Sequence, residues 1–323
     1  MKGKLILTVK EAEADHSKWE ELRKTGIGGS DVASIVGMNP WKSAYALWVE
    51  KTGQVEAEDL SENERVHFGN VLEQVVADEF CLRTGKKVRK CGTLQDEEYP
   101  FILANIDRWV EGENAGLECK TANGFSGAKW EGDEVPTNYY LQTQFYMMVT
   151  GAEKWYIACL IGGNHFVWKE IPRNDDDIKA LREATVKFWT ENIQGGAVPE
   201  LDGLDSTMDL IKTQHPVDNG KFKFLPSSAL PLIEQYEQVR DTKKLVEEQE
   251  KKLKAQFAQI IGDSKGGIID GKKVTWGWQR GGVKINTDKL KEMFPDVYAK
   301  VATPGSGFRV LRTGKATGKE EME

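Results

Sequence analysis

The sequence of 323 residues has only four cysteines and four histidines, and neither set is clustered. No two cysteines have the C-x-x-C spacing of common zinc and redox sites, so a cysteine-bound metal of that kind is excluded. The histidines show no Ser or Cys partner pattern, which excludes a hydrolase triad and a histidine-bound zinc site. We expect reduced core cysteines and a cytoplasmic protein. The residues are Cys81, Cys91, Cys119 and Cys159, and His16, His67, His165 and His215.

Long hydrophobic runs are also missing. No apolar stretch approaches the ~18–20 residues that a membrane span requires. The apolar stretch within residues 1–10 is too short for a signal peptide, so we expect no membrane partner. The hydrophobic content of 39% still supplies enough side chains for a core. The length fits one large domain with an appendage.

An excess of positive charge, common in nucleic-acid-binding chains, is absent, since the net charge is −7 at pH 7. Residues 265–319 nevertheless hold twelve Lys and Arg against four Asp and Glu, whereas residues 1–264 carry a net −12. We interpret the acidic clusters 56–59 and 175–177 as solvated loops or helix starts. Attraction of phosphates would then depend on local basic groups such as the run 86–90. An exposed, solvated strand is the alternative for that run.

Apolar periodicity and turn residues predict alternating helices and strands, and therefore an α/β fold with a mixed central sheet flanked by helices. Ser43 is a suitable N-cap for a helix over 44–51, which Gly53 would end. Residues 162–164 have the composition of a hairpin turn. Further helices are expected over 18–24, 30–37, 62–84, 139–150 and 176–193, with three or four strands between 87 and 120, a polar loop over 121–138, and strands over 154–161 and 165–171.

The pattern changes in the last third of the chain, and we expect one domain over residues 1–205 and a separate region over 206–323. Apolar residues recur there every seven positions, while the companion heptad position is apolar only at its ends. This predicts a long amphipathic helix over about 230–261 that packs on another surface and is not a self-sufficient coiled coil. The repeating residues are Leu232, Val239, Val246, Leu253 and Ile260, and the companions are Tyr236, Lys243, Glu250 and Phe257.

The end of the chain is basic and rich in glycine. Alternating residues over 271–280 predict a strand, and a second strand is expected around Arg309 and Arg312. We interpret this part as a small basic β-rich module that ends in a Gly/Lys tail.

The most informative segment is 105–120, in which Asp107 is followed by Glu118, Cys119 and Lys120. Apolar residues that lead into Asp107 and into Glu118 predict two neighbouring strands joined by a turn. Because side chains alternate along a strand, Glu118 and Lys120 are expected to face outward together, and Cys119 inward. Two carboxylates and an ammonium form a minimal site for metal-assisted phosphodiester hydrolysis. A hairpin with a solvated Glu–Lys pair is the alternative.

Three further segments, 19–37, 68–80 and 139–151, accompany this strand pair. In order and spacing the set resembles the YqaJ-type viral recombinase family and the lambda exonuclease group of phage nucleases, over about residues 15–205. The resemblance implies a restriction-endonuclease-like core and a metal-dependent alkaline exonuclease. Such an enzyme degrades one strand of linear double-stranded DNA from a 5′ end. It leaves 3′ overhangs for phage-type homologous recombination in the bacterial host cell.

The resemblance also implies a metal site of oxygen ligands. Asp107 would bridge two Mg²⁺ or Mn²⁺ ions, Glu118 would ligate one of them, and the backbone carbonyl of Cys119 would add an oxygen. Glu73, on the predicted helix 62–84, matches the family's acidic residue that completes the site. An ordinary surface glutamate is its alternative.

Lys120 and Gln142 are the other catalytic residues that the resemblance implies. Lys120 would position the attacking water or support charge in the transition state. Gln142 matches a family glutamine near the scissile phosphate. Tyr146, four residues later on the same helix face, is either a further phosphate contact or a core residue.

Arg23 and Ser30 match residues that bind the 5′-terminal phosphate of DNA in the related phage exonuclease. The glycines at 28–29 would let backbone N–H groups approach the anion. Ser30 is also an ordinary helix N-cap residue. For Arg23 the alternative is an ion pair with Glu20 or Asp31.

The resemblance has two departures. Asn105 stands where the phage enzyme has a serine near the phosphate pocket, so the resemblance alone does not assign that contact. Residues 206–323 have no obvious counterpart in the compact phage enzyme, so its ring-shaped trimer is only one alternative for assembly. The implied partners are DNA ends and a single-strand annealing recombinase. An endonuclease of the same fold and a catalytically silent DNA-end-binding scaffold are the alternative functions.

Overall fold

The computed structural model describes residues 1–55, 62–303, 305 and 307–316. Its contacts separate two units, Met1–Gln214 and His215–Glu323. The acidic run 56–59, predicted as a loop, lies outside the described residues. Within the described residues, no helix is long and apolar enough to cross a bilayer.

The helices of the first unit begin and end where local chemistry favours a boundary. Within its described residues they are α1 (Val9–Ala14), α2 (His16–Lys24), α3 (Gly29–Ile35), α4 (Ala44–Lys51), α5 (Glu64–Thr84), α6 (Thr137–Thr150), α7 (Asp175–Lys187) and α8 (Asp205–Gln214), with a 3-10 helix at Gly124–Trp130 and a π-helix at Phe188–Gln194. The Ser43 hydroxyl accepts a hydrogen bond from the N–H of Ala46 at 2.9 Å, which confirms the predicted start of α4. α6 ends at Gly151, whose φ of 67° lies in the left-handed region that favours glycine.

The strands of the first unit form two sheets. The described strands are β1 (Lys4–Leu7), β2 (Ile27–Gly28), β3 (Val88–Lys90), β4 (Thr93–Gln95), β5 (Ile102–Asn105), β6 (Arg108–Val110), β7 (Ala115–Ala122), β8 (Lys154–Ile161) and β9 (His165–Pro172). One sheet has the order β3-β6-β7-β8-β9, with β7 and β8 parallel and the other neighbours antiparallel. The other has the order β1-β4-β5-β2. The predicted mixed sheet is confirmed, and so is the hairpin of β8 and β9.

The strand that leads into Asp107 does not pair with the strand that carries Glu118. β5 lies between β4 and β2, so both of its hydrogen-bonding edges are occupied within the other sheet. The antiparallel neighbour of β7 is β6, which begins one residue after Asp107. The prediction that the strand before Asp107 pairs with the Glu118 strand is therefore wrong, because β6 takes that place. The predicted loop 121–138 is also too simple, because β7 runs to Ala122 and a 3-10 helix follows.

Both faces of the five-stranded sheet are covered. Leu117 and Cys119 of β7 share one apolar cluster with Val76, Ala77 and Phe80 of α5. On the opposite face, residues of α6 join the larger core together with Trp155 and Ile157 of β8. The middle of β7 is thus sandwiched between α5 and α6, and polar side chains on this strand must find partners inside the protein.

The second unit contains the predicted long helix, α9 (Ala229–Ile261). The side chains of its seven-residue stripe are exposed, from 55% for Leu253 to 80% for Ile260. The predicted packing of this stripe on another surface therefore stays a prediction.

The module after α9 has less sheet than predicted. β10 (Gly266–Ile269) and β11 (Lys272–Thr275) form a hairpin, and the helices α10 (Thr287–Met293) and α11 (Pro295–Val301) follow. The strand predicted over 271–280 stops at Thr275, and residues around Arg309 and Arg312 are not in a strand. Alternation alone does not make a strand, because the backbone also needs a neighbour to pair with.

Candidate active site

Asp107 lies at the junction between β5 and β6. One of its carboxylate oxygens accepts a hydrogen bond from the backbone N–H of Cys119 at 2.8 Å. This bond fixes the carboxylate against the middle of β7, although the two residues are not on directly paired strand positions. The side chain is only partly buried. Asp107 therefore combines a rigid attachment with access to solvent.

Glu118 and Lys120 lie side by side on the face of β7 that meets α6. The Lys120 ammonium is 2.5 Å from Oε1 of Glu118 and 4.9 Å from the centre of the Tyr139 ring. The expectation that this pair faces solvent is wrong, because α6 covers the strand and Glu118 is only 2% exposed. The expected opposite orientation of Cys119, towards α5, is confirmed. A buried carboxylate beside a partly buried ammonium therefore replaces the solvated pair of the alternative interpretation.

Gln142 on α6 completes this side of the site. Its side-chain amide donates to Oε1 of Glu118 at 2.7 Å and contacts the hydroxyl of Tyr146 at 2.9 Å. Gln142 and Tyr146 are separated by about one helical turn, so both point to the same face of α6. Both are buried, which agrees with the core interpretation of Tyr146, while its hydroxyl accepts a hydrogen bond within the polar cluster; a phosphate contact of Tyr146 stays a prediction.

Glu73 on α5 reaches the cluster from the opposite face of the sheet. Its carboxylate accepts a hydrogen bond from the guanidinium of Arg108, the first residue of β6. Arg108 is only 3% exposed and also donates to Gln74 at 3.0 Å and to the carbonyl of Asp107 at 2.7 Å. Sequence reasoning missed Arg108, because nothing local marks it as buried. It links the helix that carries Glu73 to the backbone of Asp107.

The site concentrates negative charge. Burial, followed by the neighbouring carboxylates of Glu118 and Glu73, raises the pKa of Asp107 well above its ordinary value. Burial also raises the pKa of Glu118, although Lys120 partly opposes the shift. For Lys120 burial acts to lower the pKa, but Glu118 and Asp107 outweigh it and the pKa is raised. The ammonium is charged at neutral pH, and the mutual repulsion of the carboxylates makes their simultaneous ionisation less favourable.

The residues fit a hard divalent cation. Oε2 of Glu118 is buried and has no hydrogen-bond partner in the described residues, whereas buried carboxylate oxygens normally have one. A divalent cation on Asp107 and Glu118 would satisfy that oxygen and offset their repulsion. Within the described residues, no three side chains of His, Cys, Asp or Glu are arranged to hold a metal ion. Backbone oxygens and water would therefore supply the remaining ligands.

Arg23 and Ser30 come together at a second polar site. The Arg23 guanidinium donates to the Ser30 hydroxyl at 3.4 Å and lies 3.6 Å from Asp31. It also lies over the Trp19 ring, at 5.1 Å from the ring centre. The predicted proximity of Arg23 and Ser30 is present, and so is the alternative ion pair with Asp31. These two interactions coexist because one guanidinium has five N–H donors.

Gly28 and Gly29 have different roles in this part of the protein. The N–H of Gly28 is already bonded to the Asp31 carboxylate at 3.0 Å, so the expectation that it binds a phosphate is wrong for Gly28 and stays a prediction for the N–H of Gly29. A Cβ added at Gly29 would lie 2.5 Å from the Tyr146 ring and 3.2 Å from the Gln142 side chain. Only glycine therefore permits this close approach of α3 to α6. The approach places the Arg23–Ser30 site next to the polar cluster of Glu118 and Gln142.

The other polar residues that the sequence singled out lie outside the polar cluster and make contacts elsewhere in the protein. The side chain of Asn105 accepts a hydrogen bond from the Thr93 hydroxyl at 2.6 Å. The run 86–90 includes β3, the edge strand of its sheet, and Lys90 is 2.6 Å from Glu13. This agrees with the exposed-strand alternative for the run. The acidic cluster 175–177 forms the first turn of α7, as predicted.

Comparison with known proteins identifies relatives of the chain. The family model of the YqaJ-like viral recombinase domain matches residues 18–153. The protein YqaJ of Bacillus subtilis (strain 168) is 41% identical over 296 residues, which cover 90% of this chain and 92% of that protein. The alkaline exonuclease LHK-Exo of Laribacter hongkongensis has a similar structure, with a TM-score of 0.50 and 18% identity over 61% of this chain and 97% of that one. Its complex with dAMP gives the same values.

At 18% identity, the structural similarity to LHK-Exo shows a shared fold and nothing finer. It covers nearly the whole of the exonuclease chain but only 61% of this one. The predicted fold class is confirmed: a mixed α/β, restriction-endonuclease-like core to which the present chain adds a long C-terminal helix.

Proposed function

We propose that this chain, which belongs to the YqaJ-like viral recombinase family, is a metal-dependent exonuclease that acts on linear double-stranded DNA. It degrades one strand from the 5′ end and leaves 3′ overhangs for phage-type homologous recombination. The observation that carries this proposal is the polar cluster itself. A buried carboxylate of Glu118, with one oxygen unsatisfied, lies against the Lys120 ammonium and the Gln142 amide. The fold shared with an alkaline exonuclease supports the same reaction class.

Asp107 and Glu118 would hold Mg²⁺ or Mn²⁺, with the Cys119 carbonyl as a further oxygen ligand. Two ions are the expectation from the family resemblance, and Glu73 is the candidate for the second. Its carboxylate would have to leave Arg108 or share it. A bound ion of this kind lowers the pKa of a water ligand and offsets charge on the phosphate.

The chain's own residues then orient the reaction. The Lys120 ammonium, held by Glu118, can hydrogen-bond a water or a phosphate oxygen without leaving its strand position. The Gln142 amide fixes the orientation of the Glu118 carboxylate and is itself held by Tyr146. Because all of these groups are carried by β7 and α6 and packed from both sides, the site is organised before substrate arrives.

The second polar site would bind the end of the DNA. A 5′-terminal phosphate carries more charge than an internal diester, and the Arg23 guanidinium with the Ser30 hydroxyl offers donors to it. The packing of Gly29 on Tyr146 and Gln142 keeps this site beside the proposed metal ligands. An enzyme built in this way would recognise the terminal phosphate and cut nearby.

The same proposal includes a partner protein and an oligomer of the chain. A single-strand annealing recombinase would bind the newly exposed strand, and the exposed apolar stripe of α9 is the candidate surface for it. A ring-shaped trimer of the chain, one alternative that the resemblance offers for assembly, would enclose the DNA.

One assay tests the proposed reaction. Linear 5′-phosphorylated, linear 5′-hydroxyl and covalently closed circular duplexes are each incubated with the protein in Mg²⁺ or in EDTA. We expect digestion of the linear duplexes in Mg²⁺ alone, faster for the phosphorylated ends, with the circle intact. Cutting of the closed circle would instead establish an endonuclease. Absence of any cutting would indicate a DNA-end-binding scaffold.

Replacing Arg23 with alanine should slow digestion of 5′-phosphorylated ends towards the rate on 5′-hydroxyl ends. The guanidinium is the charged donor of the proposed pocket, and it contacts none of the metal ligands. Ser30→Ala should have the same effect more weakly, because one neutral hydrogen bond contributes about 0.5–1.5 kcal/mol. The measurement is the ratio of the two initial rates. An unchanged ratio in Arg23→Ala would make Arg23 a surface ion-pair residue.

A further inference from the structure

Lys51, the last residue of α4, has no part in the chemistry proposed above and yet is fixed beside Arg23. Its side chain is only 3% exposed, and its ammonium lies 3.1 Å from the Asp31 carboxylate. The same ammonium donates to the backbone carbonyl of Arg23 at 2.7 Å. A buried ammonium is unfavourable unless it is paired and hydrogen-bonded, as this one is. Lys51 therefore ties the end of α4 to the end of α2 and the start of α3.

Asp31 is the carboxylate that connects Lys51 to Arg23. It is 2% exposed, accepts the N–H of Gly28 at 3.0 Å and lies 3.6 Å from the Arg23 guanidinium. Burial acts to raise the pKa of Asp31, but Lys51 and then Arg23 outweigh it and the pKa is lowered. Asp31 is consequently a fixed negative charge beside the guanidinium that is proposed to bind phosphate.

The charges around Arg23 decide whether it attracts an anion. Asp31 alone would cancel the charge of Arg23, whereas the Lys51 ammonium returns the three-residue group to a net positive charge. Lys42, a further ammonium that lowers the pKa of Asp31, is itself paired with Glu50, so the Lys42–Glu50 pair has no net charge. The hydrogen bond from Lys51 to the Arg23 carbonyl also fixes the backbone from which the guanidinium extends.

We propose that Lys51 is a positioning residue for recognition of the DNA 5′-phosphate: by neutralising Asp31 and holding the Arg23 backbone, it keeps the guanidinium available to a terminal phosphomonoester. This inference rests on the proposed function, because it assumes that Arg23 and Ser30 bind the end of the DNA. Lys51 does not contact the phosphate. Its effect is on the preference for phosphorylated over hydroxyl ends.

The test measures binding without catalysis. Duplexes with a single open end, phosphorylated or not at the 5′ position, are titrated with full-length protein in EDTA, and the ratio of the two Kd values is compared. Lys51→Met keeps the apolar stem and removes the charge. We expect it to reduce the preference for phosphate about tenfold, or about 1.4 kcal/mol. The double variant Asp31→Asn/Lys51→Met removes both charges and should restore the preference to within about threefold of wild type.

The double variant separates this role from simple support of the fold. If Lys51 were only structural, Lys51→Met would weaken binding of both duplexes equally and Asp31→Asn would restore nothing, and either result overturns the proposal. If Lys51→Met fails to fold, the single variant Asp31→Asn provides the test. Its preference for phosphorylated ends must be higher than that of wild type, and an equal or lower preference overturns the proposal. A wild-type protein without any preference would overturn the phosphate pocket itself. If the wild-type protein prefers phosphorylated ends and a folded Lys51→Met variant keeps that preference, only the proposed role of Lys51 is overturned.

Discussion

Replacing Asp107 or Glu118 with alanine is expected to reduce hydrolysis of linear duplex DNA at least a hundredfold. Each carboxylate is a proposed metal ligand, and a hundredfold loss corresponds to about 2.7 kcal/mol of transition-state stabilisation. The measurement is the initial rate on a 5′-phosphorylated duplex in saturating Mg²⁺. Glu97→Ala is the matched control, because Glu97 is an exposed carboxylate in the turn between β4 and β5. Either variant retaining more than about a tenth of the wild-type rate would contradict the assignment.

The same two substitutions, which should lower activity, are not expected to lower stability. In EDTA the alanine variants should be as stable as wild type or more so, because each substitution removes one of two neighbouring carboxylates that repel each other. The pKa values of Asp107 and Glu118 are raised, so the folded state binds these protons more tightly than the unfolded chain. Wild-type stability should therefore fall as the pH rises from about 4 through the raised pKa values. Asp107→Asn should flatten this fall in thermal unfolding. A variant that unfolds at much lower temperature would show that Asp107 supports the fold.

Local signals made part of the fold and part of the site predictable. The hydroxyl of Ser43 caps α4 at the expected residue, because a cap acts within one helical turn. The side-by-side arrangement of Glu118 and Lys120 follows from the two-residue period of a strand. Both signals depend on neighbours in sequence and not on the rest of the fold.

Pairing between distant segments was not predictable in the same way. The strand before Asp107 looks like the partner of β7 in sequence, but β4 and β2 occupy its edges. Arg108 is buried only because Glu73 and Gln74, on a helix more than thirty residues earlier, accept its hydrogen bonds. Lys51 likewise resembles an ordinary lysine in the last turn of a helix, and its burial depends on Asp31. Charged residues are seldom buried without partners, so their burial can be predicted only when the partners are known.

Replacing Lys120 with alanine is expected to lower the rate of hydrolysis at least a hundredfold and to leave the binding of metal and DNA intact. The ammonium is not a metal ligand, and as a positive charge beside Glu118 it opposes the binding of a cation. Its removal should therefore leave metal affinity equal to that of wild type or higher. The measurements are calorimetric titration with Mn²⁺, anisotropy with an end-labelled duplex, and the rate of digestion. Loss of metal affinity together with activity would show that Lys120 holds the site together structurally.

Lys120→Arg separates charge from geometry at the same position. The variant keeps a positive charge beside Glu118, but the guanidinium is larger, planar and less able to place a single donor on a water molecule. It must also fit between β7 and the Tyr139 ring, where the ammonium lies 4.9 Å from the ring centre. We therefore expect less than about a tenth of the wild-type rate, with binding of Mn²⁺ and DNA retained. A rate equal to wild type would mean that Lys120 acts through charge alone, and the proposed placement of a water or phosphate oxygen by its ammonium would then be wrong.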